Sequence, residues 1–121
     1  MIVEFTPRFK QYLRNFPETD RQKISAFVTH VQQYGLTGLK GRNKNSDNVP
    51  TNDPNWSERV AYAQKYQLWH YHIGIPNYEL SERGDYVSEY ILHYIREEQR
   101  IIIVDMSPHP PFQLPDIDYL K

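Results

Sequence analysis

The sequence predicts an α+β domain: an opening strand, an antiparallel helical hairpin and then an antiparallel β-meander, two layers with the helices on one face of the sheet. Three observations predict it. Apolar residues recur at three- and four-residue spacing between Phe9 and Tyr34, and alternate in twos between Gln67 and Arg96. An uninterrupted apolar run, Ile101-Ile102-Ile103-Val104, follows them. The first pattern is a buried helical stripe, the second a strand with two unlike faces, the third a strand suited to a sheet centre.

Ile2–Phe5 is short and apolar, and reads as a strand that joins the sheet. Thr6-Pro7 supplies an N-cap and then proline at the first helical position, where its missing N–H costs nothing. Phe9, Tyr12, Leu13 and Phe16 make the stripe of this helix, and Pro17 ends it. A second helix is predicted from Thr19, with Gln22 completing a capping box. Its stripe is Ile24, Phe27, Val28, Val31 and Tyr34, and Gly35 stands where a C-cap belongs. So short a link makes the two helices an antiparallel hairpin.

Residues 37–57 carry Gly, Asn, Asp, Pro, Ser and Lys without apolar period, and are predicted as a long loop insertion. In Gln67–Ile75, Trp69, Tyr71 and Ile73 oppose Leu68, His70 and His72. Asn77–Asp85 is a polar connection with a Gly84-Asp85 turn. In Val87–Arg96, Tyr90, Leu92 and Tyr94 oppose Ile91, His93 and Ile95. Glu97-Glu98-Gln99 is a tight turn into the strand Arg100–Met106, so these two strands form a hairpin. Residues 107–121 are a Pro-rich C-terminal tail, unsuited to helix before its last few positions.

The length of 121 residues fits one domain, 1–121. The absence of cysteine excludes a disulfide framework, a thiol nucleophile and thiolate metal sites. No apolar run reaches the roughly 20 residues of a membrane helix, and the N-terminus lacks a signal-peptide pattern. A soluble, cytoplasmic protein with no membrane association is expected. No pattern sets an oligomeric state. Charge is uneven: residues 1–44 carry eight Lys/Arg against three Asp/Glu, and residues 45–121 six against twelve. The N-terminal part is therefore the one suited to an anionic surface, although a solvated helix face is the default for Arg8, Lys10, Arg14, Arg21 and Lys23. Lys40, Arg42 and Lys44, in the loop, are the better candidates for phosphate contacts.

Four of the five histidines fall between residues 70 and 109. His70 and His72 share a strand face, His93 lies in the next strand, and His109 follows the last. Such a group can serve as general acid and base near neutral pH or bind zinc. The bland alternative is that a half-exposed sheet face tolerates each histidine singly. Acid–base chemistry is the stronger functional reading, because no carboxylate stands at a distinctive ligand spacing. There is no nucleophile elbow, P-loop or dinucleotide fingerprint, so no nucleotide cofactor is implied.

From Ile2 to Phe112 the order of parts resembles the RelE/ParE superfamily of bacterial toxin–antitoxin toxins: opening strand, helical hairpin ending at Tyr34-Gly35, basic loop, and the strands Leu68–Ile75, Glu89–Arg96 and Ile101–His109. The stretch Asp105-Met106-Ser107-Pro108-His109-Pro110-Pro111-Phe112 is similar to the branch that cleaves mRNA with histidine. The resemblance implies a ribosome-dependent endoribonuclease, an mRNA interferase needing no cofactor or metal, with a cognate antitoxin protein and mRNA on the ribosome as partners. It implies His72 and His109 as acid and base, in either order, and Asp85 as the group orienting one imidazole. Lys44 or Arg96 would then neutralise phosphate charge, and Phe112 and His70 would contact substrate. The alternatives are a ParE-like DNA gyrase poison of the same fold, a non-catalytic protein-binding module, and a small histidine-rich metal enzyme.

Overall fold

A computed structural model describes Met1–Lys121. Its elements are β1 (Ile2–Phe5), α1 (Pro7–Leu13), α2 (Glu18–Tyr34), β2 (Asn43–Asn45), α3 (Trp56–Lys65), β3 (Leu68–Ile75), β4 (Glu79–Leu80), β5 (Tyr86–Val87), β6 (Tyr90–Arg96) and β7 (Arg100–Pro108), followed by a 3₁₀ turn at Ile117–Leu120. The α+β class and the meander β3–β6–β7 match the sequence pattern. The main sheet runs β1-β7-β6-β3-β2, with β1 parallel to β7 and every other pair antiparallel.

Local chemistry accounts for the helix ends. The Thr6 hydroxyl accepts the Phe9 N–H at 3.3 Å, with Pro7 opening the helix. Gly35 takes a positive φ of 71° and donates its N–H to Val31 O. The expected capping box at Thr19 does not form: α2 begins at Glu18 on Pro17, with no side-chain cap. Glu18 and Asp20 in its first turn instead offset the helix dipole. Tyr34, expected on the buried stripe, is exposed.

The α1–α2 hairpin covers one sheet face. Phe9, Ile24, Phe27 and Val31 pack on Tyr71, Ile73, Ile75, Leu92, Tyr94, Ile101 and Ile103, and Phe27 stacks on Tyr71 with ring centroids 4.8 Å apart.

The other face differs from the expected open surface. The stretch 37–57 is not one loop. Asn43–Asn45 pairs with Tyr71, His70 and Trp69 as an edge strand, and Trp56 begins α3, a helix its sequence does not announce. That helix lies against β3 with Ala63 fully buried. Its apolar stripe is thin because a small residue meets the sheet. The Tyr62 hydroxyl donates to Pro115 O at 2.7 Å, tying the C-terminal tail to α3. Asn77–Asp85 likewise forms part of a two-stranded hairpin, β4–β5. The sheet is thus covered on both faces, one more layer than the two expected. The tail also begins later than expected, since Ser107 and Pro108 still belong to β7.

Candidate functional site

The sheet register brings the histidines together. His70 and His72 lie two apart on β3, His93 stands directly opposite His70 on β6, and Lys44 on β2 faces His70 from the other side. His109, one residue past β7, donates its N–H to Glu89 O at 2.6 Å, which turns the tail back across β3. Imidazole centroids lie 6.2 Å apart for His70–His72, 6.4 Å for His70–His93, 6.3 Å for His70–His109 and 5.7 Å for His72–His109. Phe112 closes the group, 4.8 Å from the His70 ring. These are not half-exposed residues: His70 is 5% exposed, His72 4% and His93 0%.

Each imidazole has a different environment. The Ser46 hydroxyl meets His70 Nδ1 at 2.8 Å, and burial, with His93, His72, His109 and Lys44 adding like charge, pushes His70 down to about 3. His93 Nε2 meets the Ser107 hydroxyl at 2.7 Å while its Nδ1 has no partner. Burial, with His109 nearby, holds it also at about 3. Burial thus keeps both rings neutral near pH 7. His72 Nδ1 stands 3.0 Å from both the N–H and the carbonyl oxygen of Ser88. The neutral ring accepts from the N–H and the protonated ring donates to the carbonyl, so both states are served and Nε2 remains free. Its pKa is lowered by burial, against which the Ser88 contact works. His109 has a buried, unpartnered Nδ1, and burial, with Lys44 and Arg42, lowers its pKa.

His70, His72, His109, Phe112, Lys44 and Arg42 line one cavity of about 170 Å³. Five of the seven site residues expected from sequence therefore meet. Two do not play the expected part. Asp85 orients no imidazole: it takes two hydrogen bonds from Arg42, at 2.6 Å from Nε and 2.8 Å from a terminal nitrogen, and one from the Ser81 hydroxyl. The Arg42 and Ser81 bonds hold the Asp85 carboxyl well below the usual carboxylate range. Arg96 lies outside the cavity, its guanidinium 4.3 Å over the Trp69 ring, because it sits on the face opposite His93 at the far end of β6. The cation found there instead is Arg42, one of the three basic loop residues that the sequence offers for phosphate contacts. Gly41 allows this placement, since a Cβ there would collide with the His72 carbonyl oxygen. Arg42 O then accepts the His72 N–H at 2.9 Å.

A cavity of about 420 Å³ on the helical side, between α2 and Tyr78, contains no comparable chemistry: its Lys23 already donates to Gly74 O and Pro76 O, each at 2.7 Å. Nowhere do three or more His, Asp or Glu gather at metal-binding geometry, and no helix is long and apolar enough to cross a membrane.

The arrangement can move protons at two imidazoles beside two cations. Comparison with protein-family models, curated proteins and solved structures finds no match to this chain.

Proposed function

We propose that this cavity cleaves single-stranded RNA by metal-independent acid–base chemistry, and that the protein is the toxin of a bacterial toxin–antitoxin system acting on translated mRNA. The observation that carries the reading is the His72–His109 pair, 5.7 Å between centroids, in one cavity with Arg42 and Lys44. One imidazole takes the proton of a ribose 2′-hydroxyl, and that oxygen attacks the adjacent phosphorus. The bond to the departing 5′-oxygen breaks as the other imidazole gives it a proton, leaving a 2′,3′-cyclic phosphate and a 5′-hydroxyl. Arg42 and Lys44 offset the charge that grows on the phosphoryl oxygens. Asp85 and Ser81 fix the Arg42 guanidinium. The order of elements and the closing Asp105–Phe112 stretch support the toxin context, with mRNA on the ribosome as substrate and an antitoxin protein as partner.

The test is inducible expression in a bacterial host with genome-wide mapping of new 5′-hydroxyl RNA ends. Cuts in translated mRNA that fall about a hundredfold or more in His109→Ala and His72→Ala meet the expectation, since each acid or base supplies roughly 10²–10⁴. Cuts unchanged in both variants remove the mechanism. Growth arrest with DNA damage and no RNA cuts moves the assignment to gyrase poisoning, and neither arrest nor cuts to a protein-binding module.

A further inference from the structure

The His72–His109–Arg42 centre opens in two directions. Those three residues line the cavity with Lys44, and they also line a second one, of about 370 Å³, with Glu79, Val87, Ser88, Glu89 and Pro110. The two cavities adjoin at these three shared residues, as two arms that differ in charge. The first arm carries Lys44. The second carries two exposed carboxylates and, apart from Arg42 at its mouth, no cation. The ion pairs of the molecule use Glu4, Asp53, Asp85, Glu97, Asp105 and Asp118, leaving Glu79 and Glu89 without a cationic partner.

An RNA strand crossing this centre meets opposite conditions on its two sides. Phosphates continue along the Lys44 arm, while two carboxylates repel them from the other. What fits beside a carboxylate is a nucleobase edge rich in N–H donors, and Val87 and Pro110 provide apolar surface for its ring. Guanine alone presents two adjacent donors, N1–H and N2–H, matching both oxygens of one carboxylate. Adenine and cytosine place a bare ring nitrogen beside their amino group, and uracil flanks its single N–H with carbonyl oxygens. Glu89 is the better placed of the two glutamates, because its own carbonyl holds the His109 N–H at 2.6 Å and so fixes it relative to the catalytic pair.

We infer that the second arm is a base-reading subsite for a guanine next to the scissile phosphate, with Glu89 accepting N1–H and N2–H and Glu79 excluding phosphate. The inference rests on the ribonuclease reading for the neighbouring phosphate but not for recognition of the base.

Two measurements test it together. The first maps cut positions for the wild type and Glu89→Gln and scores the base on each side of the cut. The second measures binding of guanosine 3′-monophosphate and adenosine 3′-monophosphate to the purified full chain by calorimetry. A bidentate base contact is worth about tenfold to a hundredfold in discrimination. Guanine should therefore be enriched on one side of the cut by that factor, the guanosine nucleotide should bind tighter than the adenosine one by a similar factor, and both ratios should collapse toward one in Glu89→Gln. Cuts with no guanine preference, or a preference that survives Glu89→Gln, overturn the subsite and leave the ribonuclease standing. If no RNA is cut at all, the ribonuclease reading fails, and nucleotide binding decides the subsite alone: equal affinities overturn it, while a guanosine preference lost in Glu89→Gln upholds it.

Discussion

Two imidazoles buried in the neutral state should make this protein fragile to mild acid. His70 and His93 are 5% and 0% exposed, and burial holds both at about 3, against about 6.5 in an unfolded chain. Their folded pKa values are depressed, so the unfolded chain takes up their protons first. Stability from keeping them neutral is complete above pH 6.5 and is lost as pH falls from there toward 3. Each proton contributes about 1.4 kcal/mol per pH unit, so two give a slope near 2.7 kcal/mol per unit below about pH 6. At pH 4.5 the accumulated loss is about 5 kcal/mol, comparable with the whole stability of an ordinary domain. Asp105, raised by burial, works in the opposite sense just above its usual range, and the lowered Asp85 matters only below 3.8. Urea unfolding at half-unit steps from pH 7.5 to 4.5 measures the slope, and NMR of the two rings follows their titration directly. A free energy that stays flat between pH 6.5 and 5, or ring resonances that titrate near 6.5 in the folded protein, would refute the reasoning.

Other expectations follow from the same geometry. Both candidate catalytic imidazoles titrate below 6.5, so the bell-shaped pH dependence of RNA cleavage should centre on the acidic side of 6.5, with activity falling as pH rises because the acid loses its proton; a centre above 7 would contradict the burial argument. Arg42→Ala should slow cleavage at least tenfold, whereas Arg96→Ala, over Trp69 and outside the groove, should leave the rate unchanged; the reverse result in a cleavage assay would restore Arg96 to the site. Gly41→Ala forces a methyl group against the His72 carbonyl and should cost about 3 kcal/mol in denaturant unfolding, with a cost near zero showing that the segment can shift.

The parts that were legible in the sequence carry their own periodicity. The α1–α2 hairpin displays its stripe at Ile24, Phe27 and Val31, and β3 and β6 display two faces. The elements that stayed hidden draw their stability from elsewhere. Asn43-Lys44-Asn45 has no intrinsic preference for strand and pairs only because β3 offers a free edge, a case of tertiary context overriding propensity. The helix α3 meets the sheet through Ala63, too small to mark a stripe, and β4–β5 is only two residues per strand. Missing that second cover made the histidine face look half exposed. The clustering of the candidate residues is legible where spacing on a strand fixes a face, at His70 and His72, and where the chain returns next to it, at His109 and Phe112. It is not legible at Asp85 and Arg96, whose partners, Arg42 and Trp69, depend on which loop crosses which strand, and no local pattern records that.

The parallel pairing of β1 with β7 sets Ile2 beside Arg100 and Phe5 beside Ile103, so the first strand made is joined to the last. During synthesis the hairpin emerges early, yet the sheet that covers Phe9, Ile24, Phe27 and Val31 is incomplete until β7 leaves the ribosome. The groove waits still longer, since His109 and Phe112 follow β7. Assembly is therefore a late, concerted event governed by contacts distant in sequence, of the kind that folds slowly. A chain that stops short of β7 therefore holds neither the covered core nor the groove that His72, His109 and Phe112 line.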